Sequence, residues 1–307
     1  MVPTILRKLG RASRSFEFTF RYLYNFTPTL AYKFGRRSLS SEATRVLEDL
    51  NRDGVAMTSA EALLGPDSCY HELNEAVSNL ECKLTDQLGA ARRSAQDQIA
   101  TDQKKNYLFP LLGERPVLDI DSVYVRFALH KPILRIANAY FGMYIRLRHY
   151  NVLHTFTTSG QASMSQLWHR DRDDLHYILK VFVYLSDVDD GAGPFIYAAG
   201  THSKKKLRRE PAYFLEDGYV MRSDDTQMAE VIPPERWVKC LGPKGTIIFA
   251  DTRDYHKGGL ARERDRIMYT CMFASPLAPE LFKRSGGISL PLDREQTFAL
   301  TAPKRGA

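Results

Sequence analysis

The hydrophobic pattern of this chain changes its period once, near Gly142, and that change constrains the fold more than any other feature. Before it, the sequence punctuates like helices. Ser40 and Ser41 stand where caps belong, ahead of a helix expected over 42–51, and Asp53-Gly54 supplies a turn into an apolar strand, Val55-Ala56-Met57. Two further helices are expected over about 68–100 and about 120–141, with Pro110, Gly113 and Pro116 marking a loop between them. After Met143 alternation takes over: Tyr144 to Arg148, Ile178 to Leu185, Thr246 to Ala250 and Arg266 to Phe273 read as short strands. Gly-containing turns such as Ser159-Gly160, Asp190-Gly191, Gly242-Pro243 and Gly258-Gly259 separate them. Helices followed by many short strands predict an α+β fold, mainly β in its core, with a sandwich or jelly-roll half flanked by N-terminal helices.

The formal net charge of +7 is not spread over the chain. Residues 1–37 carry eight Lys or Arg against the single acid Glu17, so the remainder balances to zero. A nucleic-acid-binding domain needs its basic face on the folded part, and this distribution argues against one. The same arm sets Phe16, Phe18, Phe20, Tyr22, Tyr24 and Phe26 at every second position. Two readings stay open for it. One is a strand or irregular segment packed onto the main domain; the other is a basic, aromatic element touching an anionic membrane surface or an acidic partner. Glu17 and Arg21 interrupt its apolar stretch, which argues against a secretory signal. No apolar run approaches the roughly 20 residues of a membrane span. Four cysteines without a Cys-x-x-Cys pair point to a reduced, cytoplasmic setting, with membrane-peripheral contact only through the arm.

Chemistry concentrates in Trp168-His169-Arg170-Asp171-Arg172-Asp173-Asp174. On an extended backbone His169 and Asp171 project to one side while Trp168 and Arg170 project to the other. Asp173 shares the phase but lies roughly 13 Å along the strand from His169, too far for two ligands of one metal ion. Asp174 is out of phase, so Asp171 is the acid expected to join His169. A His-x-Asp triplet alone is weak, because such triplets arise often by chance. Its weight grows with Gly245-Thr246-Ile247-Ile248-Phe249-Ala250 and the segment after it, which sets His256 just behind an apolar strand, 87 residues beyond His169. Two histidines and a carboxylate on a β scaffold suit non-haem Fe(II) and leave positions open for a cosubstrate and O2. Arg266, ten residues further on, is expected to take a distal carboxylate in a bidentate fork. If Arg266 points inward, Met268, Thr270 and Met272 do so too.

WHRD, then LKVFVYLSDVDDGAGPFIYAAGTH, then GPKGTIIFADTRDYHKGGLARERDR, in that order and spacing, resemble the phytanoyl-CoA dioxygenase family of Fe(II)/2-oxoglutarate oxygenases. The resemblance runs over about 140–275 and more weakly over about 40–140. It implies a double-stranded β-helix, a jelly-roll of the cupin-like kind, with the domain spanning 38–280. A helical part would occupy 38–142 and the β-helix core 143–280, leaving the arm 1–37 and a tail 281–307 outside. It implies iron held by His169, Asp171 and His256, with Arg266 pairing the 5-carboxylate of 2-oxoglutarate and Arg264 as the fallback. Two departures stand out. Ala199-Gly200-Thr201-His202 replaces the family's Pro-Gly-Ser-His, and Gly258 stands where a hydroxyl side chain is often found beside the arginine.

The implied activity is hydroxylation of a C–H bond in a small-molecule or lipid-like substrate, with release of succinate and CO2. Desaturation or epimerisation uses the same ligands, and a jelly-roll that binds a ligand without turnover is the competing class. His154, His176 and His202 read as structural or turn residues, and Lys204-Lys205-Lys206 as a solvated loop. Whether Lys180, Phe182 and Tyr184 or Val181, Val183 and Leu185 face inward stays open.

Overall fold

The computed structural model describes residues 16–35, 37–66, 69–97, 105–172, 174, 176–201, 210–213, 215–217, 220–284 and 291–301. Asp173, His202 and Lys204 to Lys206 lie outside the described residues.

The strands, in chain order, are β1 (Val55–Ser59), β2 (Leu108–Pro110), β3 (Val117–Leu118), β4 (Arg146–Thr155), β5 (Ile178–Tyr184), β6 (Phe195–Ala198), β7 (Leu215–Asp217), β8 (Val220–Arg222), β9 (Trp237–Cys240), β10 (Thr246–Ala250), β11 (His256–Gly258), β12 (Arg266–Ala274) and β13 (Lys283–Arg284). A large antiparallel sheet runs β1-β10-β5-β12-β4-β2, and a smaller one runs β11-β6-β9. On one face of the large sheet Leu179, Val181 and Val183 join Tyr269, Cys271, Phe273 and Phe249 in a core shared with helix residues such as Leu50, Phe127 and Leu134. On the other face Phe182, Tyr184, Ile248, Ala250 and Met268 pack against Phe195, Tyr197 and Cys240 of the small sheet. Period 2 therefore gives β5 two buried faces with different partners, and Lys180, Phe182 and Tyr184 are the set between the sheets.

The helices obey local rules. In Ser41–Asp53 the Ser40 hydroxyl accepts from Ala43 N at 3.2 Å, Ala43, Val46 and Leu50 face inward, and Gly54 ends the helix at φ 80°. The helix expected over 68–100 is two, Cys69–Lys83 and Thr85–Asp97. At the break the Thr85 hydroxyl donates to Cys82 O at 2.8 Å, a side-chain bond that competes with the helical ladder. The one expected over 120–141 divides into Val123–Ala128 and Lys131–Phe141, because Pro132 has no N–H to continue the first. The loop expected between them contains β2 and β3.

The arm is neither strand nor irregular where it is described. It forms Glu17–Thr19, a π-helical turn Phe20–Tyr24 and a helix Phe26–Gly35. A strand would have needed a sheet edge for its backbone groups, whereas helical turns satisfy them locally. Of the alternating aromatics only Phe20 is buried, with its ring centroid 4.6 Å from that of His176 and 5.8 Å from that of Tyr177. Phe20 belongs to the main core, as do Ala299 and Leu300 of the C-terminal helix Arg294–Leu300.

One polar cluster ties helices to the large sheet. His154 Nδ1 lies 2.8 Å from Glu81 and its Nε2 2.7 Å from Asp265, which also pairs with Arg92. Burial alone lowers the His154 pKa, but hydrogen bonds from Asp265 and Glu81 outweigh it and the net direction is up. A raised folded-state pKa makes this contribution full below about pH 6.5 and lost as pH rises through the folded value. His154→Gln is expected to cost about 1–3 kcal/mol at pH 6. That difference should shrink toward pH 9 in urea denaturation; a difference constant with pH would refute the charged cluster.

Candidate metal centre

The segment around His169 is held by backbone pairing with the segment that carries His256. His169 N donates to His256 O at 3.0 Å, His256 N returns a bond to His169 O at 3.1 Å, and Asp171 N donates to Thr252 O at 2.8 Å. Extended geometry then sends alternate side chains apart. Trp168 packs with Ile196, Met228 and Trp237 and donates from Nε1 to Asp225 at 2.7 Å. His169 and Asp171 turn the opposite way, toward His256. The ring centroids of His169 and His256 are 4.3 Å apart. Candidate ligand atoms of His169, Asp171 and His256 all lie within 4.8 Å of one another.

The chemistry of these donors suits a cation. His169 Nδ1 sits 2.8 Å from Leu167 O and His256 Nδ1 2.8 Å from Asp254 O. A carbonyl can only accept, so each Nδ1 carries the proton and each Nε2 keeps a free lone pair. Burial is the main reason both imidazoles titrate below the ordinary range, and they are neutral at pH 7. Burial opposes ionisation of Asp171, but the Lys180 ammonium first, and then His256 and His169 where acid protonates them, outweigh it and hold its carboxyl below the usual range. Lys180 Nζ is 2.6 Å from Asp171 Oδ2.

Arg266 starts β12 between the sheets and is 5% exposed. Its Nη2 reaches Thr155 Oγ1 at 3.4 Å, while Nε and Nη1 are buried without a hydrogen-bond partner. Burial pushes its pKa down. A Cβ on Gly258 would stand 3.9 Å from Arg266 Nη2, so glycine at this position leaves room beside the guanidinium. The hydroxyl neighbour is Thr155, opposite Arg266 in the β4–β12 register. Arg264, the fallback, points elsewhere: it is half exposed and pairs with Asp189 at 3.0 Å.

Among the described residues of the charged run, Arg170 and Asp174 bond to backbone elsewhere in the fold. Arg170 donates to Arg253 O at 2.7 Å, Arg172 is exposed, and Asp174 accepts from His176 N at 2.9 Å and Ser275 N at 3.2 Å. A triad around the buried Asp251 lies beside the site, and no motif in the sequence announces it. Tyr140 donates to Asp251 at 2.8 Å and Arg253 pairs with the same carboxylate, fixing the loop that leads to His256. An Asp and an Arg directly behind an apolar strand are its only sequence trace.

No protein-family model matches the sequence, and no curated protein matches it. The fold is shared with solved non-haem iron and 2-oxoglutarate-dependent enzymes. EctD from S. alaskensis with bound Fe aligns at TM-score 0.53 and 17% identity over 89% of each chain. The epimerase SnoN, in complex with Fe3+, alpha ketoglutarate and nogalamycin RO, aligns at TM-score 0.50 and 18% identity over 87% of this chain and 92% of SnoN. The carbocyclase SnoK aligns at TM-score 0.50 and 15% identity, over 79% of this chain and 87% of SnoK. At such identities the likeness is one of fold.

A buried, unpaired guanidinium destabilises the chain that carries it. Arg266→Met is therefore expected to leave the ligand-free protein as stable as wild type or more stable by about 1–2 kcal/mol. A loss of several kcal/mol in chemical denaturation would mean that Arg266 has a structural counter-ion.

Proposed function

We propose that the chain is an Fe(II)- and 2-oxoglutarate-dependent oxygenase of the phytanoyl-CoA dioxygenase type, its two sheets forming a double-stranded β-helix. The observation that carries this reading is the coexistence of two buried features that meet at β11, where Gly258, two residues after His256, lies beside the Arg266 guanidinium. One is a neutral His, ionised Asp, neutral His donor set; the other is a buried cation with two unsatisfied donors. A catalytically silent jelly-roll gives no reason to retain both.

His169 and His256 would hold the metal through Nε2, and Asp171 through its carboxylate, a donor set that suits Fe(II). When bound, Fe(II), 2-oxoglutarate and O2 supply the oxidation: the cosubstrate loses CO2 to become succinate, taking one oxygen atom, and the other is available to a substrate C–H. Arg266 orients the cosubstrate by offering Nε and Nη1 to its 5-carboxylate, and Thr155 lies beside the same guanidinium. Phe182, Tyr184, Phe195 and Met268 form an apolar wall that excludes water. Retention of Asp171 favours hydroxylation, and the tautomers fixed by Leu167 O and Asp254 O keep both imidazoles ready to bind.

The test is succinate formation from 2-oxoglutarate with Fe(II) and O2. Wild type is expected to turn over; Asp171→Ala and His256→Ala should lose at least about 100-fold of this activity, the scale of removing a group that organises the centre. Arg266→Met should raise the KM for 2-oxoglutarate by about 100-fold, the scale of a lost charged hydrogen-bond pair. Wild-type protein that binds no divalent metal and forms no succinate would end the enzyme reading.

A second proposal concerns the arm. Phe16, Phe18, Leu23, Phe26 and Phe34 are each more than half exposed, on a segment that holds the whole net charge of +7. Exposed aromatics with basic neighbours suit an anionic lipid surface. No helix among the described residues is long and apolar enough to cross a membrane. The protein is expected to sediment with phosphatidylserine-containing vesicles and not with neutral phosphatidylcholine vesicles. Replacing Phe16, Phe18 and Phe34 by Ser should abolish that, and equal binding to both lipids would exclude the electrostatic part.

A further inference from the structure

A second cationic position lies on the same face of the large sheet as Arg266. In the register, Lys180 of β5 stands opposite Met272 of β12, and Met272 stands opposite His149 of β4. Ala250 of β10 flanks Lys180 on its other side. One row across the sheet therefore reads His149, Met272, Lys180, Ala250, with Lys180 reaching Asp171.

Lys105 adds to this row. Its side chain is solvent-accessible, yet it lies near enough to Lys180, Asp171 and Arg222 for their charges to act on it. His149 Nδ1 is buried without a hydrogen-bond partner. Burial first, then Lys180, Arg148 and Lys105, push its imidazole down to about 4, so at pH 7 it is a neutral hydrogen-bonding group in a positive field. The acid in contact with Lys180 is Asp171, which the iron reading already employs.

Cosubstrate does not account for this row. Arg266 lies six residues along β12 from Met272, roughly 20 Å of strand. A five-carbon dicarboxylate held at one end by Arg266 is short against that separation, so Lys180 is not expected to share its 5-carboxylate. A lysine beside the candidate metal ligands, an exposed second lysine within reach of its charge and a buried imidazole nitrogen without a partner together make a site for an anion.

We propose that Lys180, with His149 and Lys105, holds an anionic group of the substrate, a carboxylate or a phosphate, and that the oxidised C–H lies a few bonds from it. The assignment rests on the iron and 2-oxoglutarate reading above. Lys180 Nζ is 2.6 Å from the proposed ligand Asp171, which keeps the anion near the metal position. Lys180 is a specificity residue in this account, since it selects substrate by charge.

The test uses full-length protein loaded with Mn(II) and 2-oxoglutarate, which prevents turnover, and thermal-shift titrations with hexanoate, hexyl phosphate and uncharged hexanamide. At least one anion should raise the unfolding midpoint saturably while hexanamide does not, and the anion that responds distinguishes carboxylate from phosphate. Lys180→Met should weaken that anion about tenfold or more, the scale of a charged hydrogen bond. Lys180→Arg should retain binding, and Lys105→Met, which leaves Asp171 untouched, should weaken it several-fold. In Lys180→Arg and Lys105→Met the shift produced by Mn(II) and 2-oxoglutarate should persist, which also reports that they fold. The inference is overturned if hexanamide stabilises as well as the anions, if neither anion responds, or if Lys180→Met responds like wild type. It is also overturned if Lys180→Met loses the 2-oxoglutarate response while Lys180→Arg keeps it, because Lys180 would then serve the cosubstrate. Wild-type protein with no Mn(II) and 2-oxoglutarate shift overturns the underlying reading and this one with it.

Discussion

Two backbone hydrogen bonds between His169 and His256, 3.0 and 3.1 Å long, set the geometry on which the site depends. The residues are far apart in sequence, and neither lies inside a long strand at the point of contact. Their mutual bridge makes them direct cross-strand neighbours, which fixes the separation of the imidazoles before any ligand arrives. Asp171 follows automatically, because the next residue in phase on the same extended segment is anchored by its own N–H to Thr252. Tyr140 and Arg253, converging on Asp251, hold the other half of the bridge in place.

The space between the sheets carries an electrostatic cost. Phe182, Tyr184, Phe195 and Met268 make it apolar, yet Arg266 and Lys180 project into it from the same face of the large sheet. Lys180 has Asp171 as a counter-ion, while two Arg266 donors have none. A folded chain keeps such a group where a ligand supplies the missing charge, and on the proposed reading that ligand is the distal carboxylate of 2-oxoglutarate at Arg266.

Much of the candidate site's geometry was legible because it rests on period 2. Alternation singled out His169 and Asp171, and the apolar run before His256 put that residue just behind a strand, where the structure has it start β11. Ser40 and Gly54 announced their helix through cap chemistry, which acts within a few residues. What failed was the inference from pattern to pairing. The alternating aromatics of 16–26 look like a strand in one dimension, but no sheet edge meets them, and they coil. Breaks at Leu84 and before Pro132 depend on single side chains inside long helical patterns. The inward face of β5 could not be read, because both faces are buried and the sequence alternates between two apolar partners. Arg264 and Arg266 differ by two residues and share a phase; only the third dimension separates a surface pair with Asp189 from a buried guanidinium.

The central claim is that the three-residue donor set and Arg266 act together on one molecule of 2-oxoglutarate. Anaerobic calorimetric titration of 2-oxoglutarate into the protein, with and without Fe(II), tests it most directly. The account predicts one saturable site whose affinity falls by about 100-fold or more when the metal is omitted, when Asp171 is replaced by Ala, or when Arg266 is replaced by Met. Binding of equal strength without metal, or undiminished in Arg266→Met, would contradict it.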